Sequence, residues 1–131
     1  MCMLIRFVVY GIIGWCMEVF WTGLGSLLRR DLTAKSTTSI WMFFVYGAAA
    51  FFTPMIDLIY PMPMLARGAI YAVCIFVVEY IVGTALKHAN MCPWDYSGAK
   101  TSIQGVIRLD YAPVWFAVGL FFEFTYLRFL I

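Results

Sequence analysis

Four apolar runs of about 20 residues each restrict the fold of this chain more than any other feature. They cover about residues 4–28, 40–60, 65–86 and 109–131. An α-helix needs about 20 consecutive apolar residues to cross the hydrocarbon core of a bilayer. Inside lipid, only helices and closed barrels satisfy their own backbone, and runs of this length are too long for strands. The sequence therefore predicts an all-α integral membrane protein, a four-helix bundle that forms a single transmembrane domain over residues 1–131.

The composition agrees with a membrane location and excludes other classes. The chain of 131 residues is 64% hydrophobic and 12% charged, which is about half the charge of a soluble domain. A net charge of +2 without a basic cluster argues against nucleic acid as a partner. The four cysteines lack C-x-x-C spacing and His88 is the only histidine, so we expect no disulfide framework, no metal site and no cofactor.

The two longer polar segments, residues 29–39 and 87–108, lie on one side of the membrane if all four runs cross it. Six basic residues fall on that side and three on the other: Arg29, Arg30, Lys35, Lys87, Lys100 and Arg108 against Arg6, Arg67 and Arg128. Because cytoplasmic loops carry an excess of Lys and Arg, we expect both loops in the cytoplasm and both termini outside. In a bacterium this membrane would be the cell membrane.

A pattern in the first run returns in the third at an offset of 61 residues. The recurring residues are Arg6, Tyr10 and Glu18, then Arg67, Tyr71 and Glu79. The loops repeat a similar motif at residues 34–40 and 99–103. These matches predict two parallel helix–loop–helix repeats, and transporters often place their site at a repeat interface. The alternative is a chance match in a biased composition.

Three carboxylic residues inside the runs are the main candidates for chemistry. Glu18, Glu79 and Glu123 would each cost about 2.5–3.5 kcal/mol in a spanning helix without compensation, so they should face the bundle, water or one another. Counted from the loop side at a rise of 1.5 Å per residue, they lie about 15, 12 and 20 Å deep. We therefore expect one shared layer that binds a proton, a cation or a substrate. Interhelical hydrogen bonding by protonated glutamates is the alternative.

The remaining charged residues of the runs lie near the ends. For Arg6, Asp57, Arg67 and Arg128 we expect side chains that reach the interface.

The loop after the third run holds the most distinctive short segment. Trp94, Asp95, Tyr96 and Ser97 follow Pro93 and precede Gly98. We expect a structured cap that folds back over the helix ends, with Asp95 facing inward and the two aromatic bodies buried. Simple anchoring of Trp94 and Tyr96 in the headgroup zone is the alternative.

Several short motifs together resemble a known family. They are Glu18-Val19-Phe20-Trp21-Thr22-Gly23, Ser39-Ile40-Trp41, Tyr46-Gly47, Glu79-Tyr80 with Gly83, Pro93-Trp94-Asp95-Tyr96-Ser97, and Gly105 with Ile107 and Leu109 before Trp115. The set resembles the bacterial family described as "putative ABC-transporter type IV" and its animal relatives, the transmembrane protein 229 family. The resemblance implies four or more spans and a membrane location, and it brings no established biochemistry.

The sequence favours a transport-associated protein over an enzyme. It has no phosphate-binding loop, no G-x-S-x-G turn and no H-E-x-x-H motif. We expect a homo-oligomer surrounded by membrane lipid, with Glu18, Glu79 and Glu123 as an internal polar site. Two alternatives are a membrane-embedded enzyme or lipid-binding protein that uses the 94–97 loop, and an accessory subunit of a larger membrane complex.

Overall fold

The computed structural model describes residues 1–131 and is mostly helical. Four helical stretches are long and apolar enough to cross a membrane: Met3–Leu28, Ile40–Ile59, Met64–His88 and Leu109–Leu130. Their ends lie within two residues of the predicted ones. The predicted all-α fold with four spans is confirmed, and the chain is an integral membrane protein.

Five α-helices build these spans. They are α1 (Met3–Leu28), α2 (Ile40–Gly47), α3 (Thr53–Ile59), α4 (Met64–His88) and α5 (Ala112–Thr125). A 3-10 stretch, Ala48–Phe52, joins α2 to α3 just before Pro54. Since proline lacks an N–H and its ring clashes with the carbonyl four residues earlier, a regular α-helix is disfavoured at this point. One 3-10 turn, Leu109–Tyr111, precedes α5, and a π-helical turn, Tyr126–Leu130, follows it.

A short antiparallel hairpin lies in the second polar loop, a feature that the prediction for the four spans did not cover. Strands β1 (Ser102–Ile103) and β2 (Ile107–Arg108) pair with Ser102 opposite Arg108. The hairpin lies outside the spans, so the helical prediction for the spans is unaffected. Its turn uses two left-handed residues, Gln104 at φ 54° and Gly105 at φ 71°. Glycine suits the second position because residues with a Cβ are strained at this positive φ.

The chain divides into two compact units, Met1–Phe52 and Thr53–Ile131, called here unit 1 and unit 2. Unit 1 contains α1, the first polar loop, α2 and the 3-10 stretch, whereas unit 2 begins with the short α3 and continues with α4, the second polar loop and α5. The single domain and the internal repeat both stay predictions.

In unit 1, glycines on α1 let α2 approach closely. A Cβ at Gly14 would lie 2.1 Å from Cγ of Tyr46, and one at Gly11 would lie 2.5 Å from the ring of Phe43. On α2, Gly47 similarly receives the ring of Phe7. Small residues of this kind allow helices to pack without a hydrophobic driving force between them.

The first polar loop runs back along the end of α1 instead of extending into water. The Trp15 indole donates to the carbonyl of Ser39 at 3.0 Å. The Thr22 hydroxyl accepts from the backbone N–H of Thr37 at 3.0 Å and lies 3.1 Å from the carbonyl oxygen of Thr37. Further along, the Ser26 hydroxyl donates to the carbonyl of Lys35. These bonds satisfy extended backbone that would otherwise need water.

In unit 2, α4 and α5 pack by the same exchange of glycines and rings. A Cβ at Gly68 of α4 would lie 2.3 Å from the ring of Phe116, and one at Gly119 of α5 would lie 2.3 Å from Cβ of Tyr71. On each helix of the pair, an aromatic residue thus packs against a glycine of the other helix. These contacts bring the beginning of α4 close to the middle of α5, next to Arg67 and Glu123.

Candidate functional site

In unit 1, the candidate Glu18 is hydrogen-bonded to the second helix. The Tyr46 hydroxyl donates to Oε1 of Glu18 at 2.7 Å. Gly14, one turn before Glu18, allows the Tyr46 ring to lie directly on α1. A half-buried carboxyl group in a spanning helix thus has a neutral phenol as partner.

In unit 2, Glu79 occupies the corresponding place on α4. Glu18 and Glu79 each lie 15 residues after the first residue of their helix. Glu79 is only 8% exposed, and the hydroxyl of Tyr96 lies 3.4 Å from its Oε1. Tyr96 comes from the loop rather than from the second helix, so the two units supply the phenol from different segments.

Aromatic rings extend from Tyr96 along the loop end of α5. The rings of Tyr96 and Tyr111 are 5.6 Å apart in an edge-to-face arrangement, and those of Tyr111 and Trp115 are 6.2 Å apart. Trp115 is buried, and its indole Nε1 has no hydrogen-bond acceptor. A buried donor without a partner costs about 1–3 kcal/mol. The Trp115 indole is therefore suited to donate a hydrogen bond to an acceptor atom of a bound molecule.

Glu123 has a different environment, because it forms an ion pair with Arg67. Nε and Nη2 of Arg67 donate to Oε2 and Oε1 of Glu123 at 2.9 and 3.1 Å, and the Tyr71 hydroxyl also donates to Oε2. Arg67 further donates to the carbonyls of Tyr60 and Met62. Arg67 therefore binds both Glu123 and the turn before α4, and this pairing accounts for the burial of Glu123 without a bound cation.

The depth estimate for the carboxyl groups is wrong for this pair. Glu123 lies beside Arg67 in the first turn of α4, whereas Glu79 lies 12 residues further along that helix. At 1.5 Å per residue the two positions are about 18 Å apart. The estimate assumed that the fourth span starts at the level where α4 ends, but the loop folds back so that Val106 already lies beside Gly83 of α4. Asp57 is also paired, accepting from the Tyr126 hydroxyl at 2.7 Å.

The loop segment 94–97 folds back on α4 through its aromatic residues. The Trp94 indole donates to the carbonyl of Val106 at 2.9 Å, and both side chains contact the position of Gly83 on α4. Asp95 points the other way: its side chain is 65% exposed and lies 3.6 Å from Nζ of Lys87. The expectation that Asp95 faces inward is therefore wrong.

Asp95 instead stabilises the turn of the loop. Its Oδ1 accepts from the backbone N–H of Ser97 at 3.0 Å. This backbone hydrogen bond, with smaller contributions from the Ser97 side chain and Lys87, holds the pKa of Asp95 below its usual range. Asp95 is thus a charged turn residue in water, whereas Trp94 and Tyr96 make the contacts with α4.

Sequence reasoning missed the partners of the candidates. Tyr46, Tyr111 and Trp115 contribute to the two carboxyl environments, but none carries a charge that marks it inside an apolar run. The Tyr46-Gly47 pair belongs to the family resemblance, but the resemblance does not connect Tyr46 with Glu18. No three His, Cys, Asp or Glu side chains lie together as metal ligands would.

The family assignment rests on comparison of the whole sequence. Residues 5–130 match the family described as "Putative ABC-transporter type IV". No solved structure is significantly similar to this chain. Because the match covers nearly all of the sequence, the protein belongs to the "Putative ABC-transporter type IV" family.

Proposed function

We propose that this protein is a proton-coupled transport component of the cell membrane, with Glu79 as its protonatable group. The observation that carries the proposal is the burial of Glu79 in a spanning helix, within reach of the Tyr96 hydroxyl. An apolar environment favours the protonated, neutral form of a carboxyl group, whereas an ion pair favours the charged form. Ionisable residues within spans often belong to proton or substrate pathways.

The tyrosine and tryptophan residues support a bound substrate near Glu79. A phenol hydroxyl donates to a carboxylate and accepts from a carboxyl group, so Tyr96 suits both protonation states. The unpartnered indole of Trp115 adds a donor along the same row of rings. We infer a substrate with at least one acceptor atom, held at the loop end of unit 2.

Glu18 and Glu123 have separate roles in this proposal. The Glu18–Tyr46 pair repeats the carboxyl–phenol chemistry in unit 1 and serves as a second protonatable group. Glu123, although expected to join the site, acts structurally through Arg67. The protein works as a homo-oligomer in lipid, with the loops 29–39 and 87–108 in the cytoplasm.

Labelling with dicyclohexylcarbodiimide tests the protonatable group without knowledge of the substrate. This apolar reagent reacts with protonated carboxyl groups, and peptide mass spectrometry locates the adduct. We expect labelling of Glu79 that falls as the pH rises, and no adduct at Glu123. Tyr96→Phe should change the pH at which labelling falls, whereas Tyr60→Phe, which removes an exposed hydroxyl, should not. Absence of a Glu79 adduct at every pH would reject the proton site.

Transport itself requires a second experiment. Liposomes with the purified protein are given an inward proton gradient and an isotope-labelled metabolite extract. We expect at least one compound to accumulate with wild type and Lys100→Gln but not with Glu79→Gln. If every compound accumulates equally in liposomes with wild type and in liposomes with Glu79→Gln, the transport role is rejected. A stable membrane partner after gentle purification would then favour the accessory subunit, and a chemically changed compound would favour the enzyme.

A further inference from the structure

An open cleft of about 230 Å³ lies at the loop end of α4, apart from the Glu79 environment. Four polar side chains and one apolar side chain line it: Thr84, Lys87, His88, Gln104 and Val106. All five belong to unit 2. Three come from the last two turns of α4 and two from the turn of the β1–β2 hairpin.

The polar side chains of the cleft are mainly hydrogen-bond donors. Nζ of Lys87 donates to the carbonyl of Gln104 at 3.2 Å, which holds the ammonium group beside the hairpin. The Tyr80 hydroxyl donates to Oε1 of Gln104 at 3.2 Å, so the amide nitrogen of Gln104 remains a donor. The hydroxyl oxygen of Thr84 is buried and has no hydrogen-bond partner. A donor-rich cleft of this kind is suited to an anionic oxygen group.

The unpartnered hydroxyl of Thr84 favours a ligand-binding site over a purely helix-stabilising role for the basic residues of the cleft. Lys87 and His88 lie in the last turn of α4, where cations also stabilise the negative end of the helix dipole. That effect needs no ligand. The dipole effect does not explain why the Thr84 hydroxyl lacks a partner. A threonine in a helix usually donates to a carbonyl of the preceding turn, and a buried hydroxyl without a partner is destabilising. A ligand oxygen in the cleft would satisfy it.

The position of the cleft indicates which anion is available. α4 is one of the four candidate spans and ends at His88, so the cleft lies at the level of the lipid headgroups. We propose that it binds the phosphate group of a membrane phospholipid. Asp95 lies 3.6 Å from Nζ of Lys87 and is largely exposed. A phosphoethanolamine headgroup matches both charges, with its phosphate beside Lys87 and its ammonium beside Asp95.

Native mass spectrometry of the detergent-purified protein tests this proposal. The probes are short-chain phosphatidylethanolamine, phosphatidic acid, diacylglycerol and glycerol phosphate. We expect the two phospholipids to bind and diacylglycerol not to bind. Lys87→Gln and Thr84→Val should each weaken phospholipid binding by about tenfold or more, since each removes a hydrogen bond to a charged group. Lys100→Gln, a lysine of the same loop outside the cleft, should bind as wild type does.

Thermal unfolding separates lipid binding from a structural role of Thr84. Without lipid, Thr84→Val should unfold at the same or a higher temperature than wild type, because it removes an unsatisfied hydroxyl. Asp95→Asn should weaken phosphatidylethanolamine and leave phosphatidic acid unchanged. Diacylglycerol that binds as well as the phospholipids, or wild-type binding by Thr84→Val, would overturn the proposal. Glycerol phosphate that binds as tightly as the phospholipids would overturn the lipid assignment in favour of a soluble phosphate compound.

Discussion

Arg67 and Glu123 form a two-fold hydrogen-bonded ion pair that joins α4 to α5 near the opposite end of unit 2 from the polar loop. Both nitrogen–oxygen distances are about 3 Å, and the two side chains are 15% and 7% exposed. The pair leaves no net charge inside the span, and the remaining donors of Arg67 bind two carbonyls of the turn before α4. Two charged residues thus hold three segments of the chain together.

Loss of either partner should therefore destabilise the protein strongly. We expect Glu123→Gln and Arg67→Gln each to lower the free energy of unfolding by about 3–5 kcal/mol, because a buried charge is left uncompensated. Sodium dodecyl sulfate titration of the protein in mixed micelles measures this. Arg108→Gln is the matched control, since the Arg108–Asp110 pair is partly exposed and surface pairs contribute little. Equal losses for Glu123→Gln and Arg108→Gln would contradict the structural role of the buried pair.

Gly14 and Gly25 lie on the same helix but should respond oppositely to alanine. At Gly14 a methyl group meets the ring of Tyr46 at 2.1 Å, whereas at Gly25 the nearest atom is Nη1 of the flexible Arg29 at 3.4 Å. Gly14→Ala should cost about 1–3 kcal/mol through overpacking. Gly25→Ala should be neutral or stabilise by up to about 1 kcal/mol, because alanine favours the helix. The same titration measures both, and a Gly14→Ala variant as stable as Gly25→Ala would show that α1 and α2 are not in contact there.

The turn at Asp95 should weaken in acid. Its pKa in the folded protein is lowered from the usual 3.8, chiefly by the backbone N–H of Ser97. The stabilising effect is therefore complete above about pH 3.8 and is lost as the pH falls through the lowered pKa of the folded state. Fluorescence of Trp94, obtained as the difference from Trp94→Phe, should change in this range. Asp95→Ala should remove the change and Lys100→Ala should keep it; a transition that survives in Asp95→Ala would assign it to another group.

Cysteine labelling tests the orientation in the membrane. In a variant without the four native cysteines, Lys35→Cys and Lys100→Cys should react with a membrane-impermeant maleimide only after the cells are permeabilised. Met62→Cys, between the second and third spans, should react in intact cells. This follows from the excess of basic residues in the two polar loops. Labelling of Lys35→Cys and Lys100→Cys from opposite sides would reject the four-span topology.

The spans could be predicted because each depends on its own run of apolar residues. Length and hydropathy place α1 and α4 without knowledge of any partner. The short hairpin is absent from the prediction, although Gly105 between Ser102-Ile103 and Val106-Ile107 is a recognisable turn signal. Its four strand residues are too few to stand out beside runs of 20.

The partners of the charged residues could not be predicted, because they depend on tertiary packing. Arg67 and Glu123 are 56 residues apart, and Glu18 and Tyr46 are 28 apart. Nothing in either local sequence records which faces of two helices meet. The cost of burying a glutamate indicated that Glu18 and Glu79 need polar partners, but it did not identify tyrosine as the partner or Arg67 as the counter-ion of Glu123.

The backbone that runs back along α1 affects how this protein tolerates bilayers of different thickness. With 26 residues, α1 is about 39 Å long, which exceeds the hydrocarbon core of about 30 Å. Helices that are too long usually tilt or deform the bilayer to relieve such hydrophobic mismatch. Here the bonds from Thr22 and Ser26 place the loop along one side of the last two turns, whereas Leu24, Leu27 and Leu28 on the other side remain exposed. The loop therefore covers only one face of the excess length, and the remaining apolar surface still requires a tilt of α1 or a locally thicker bilayer.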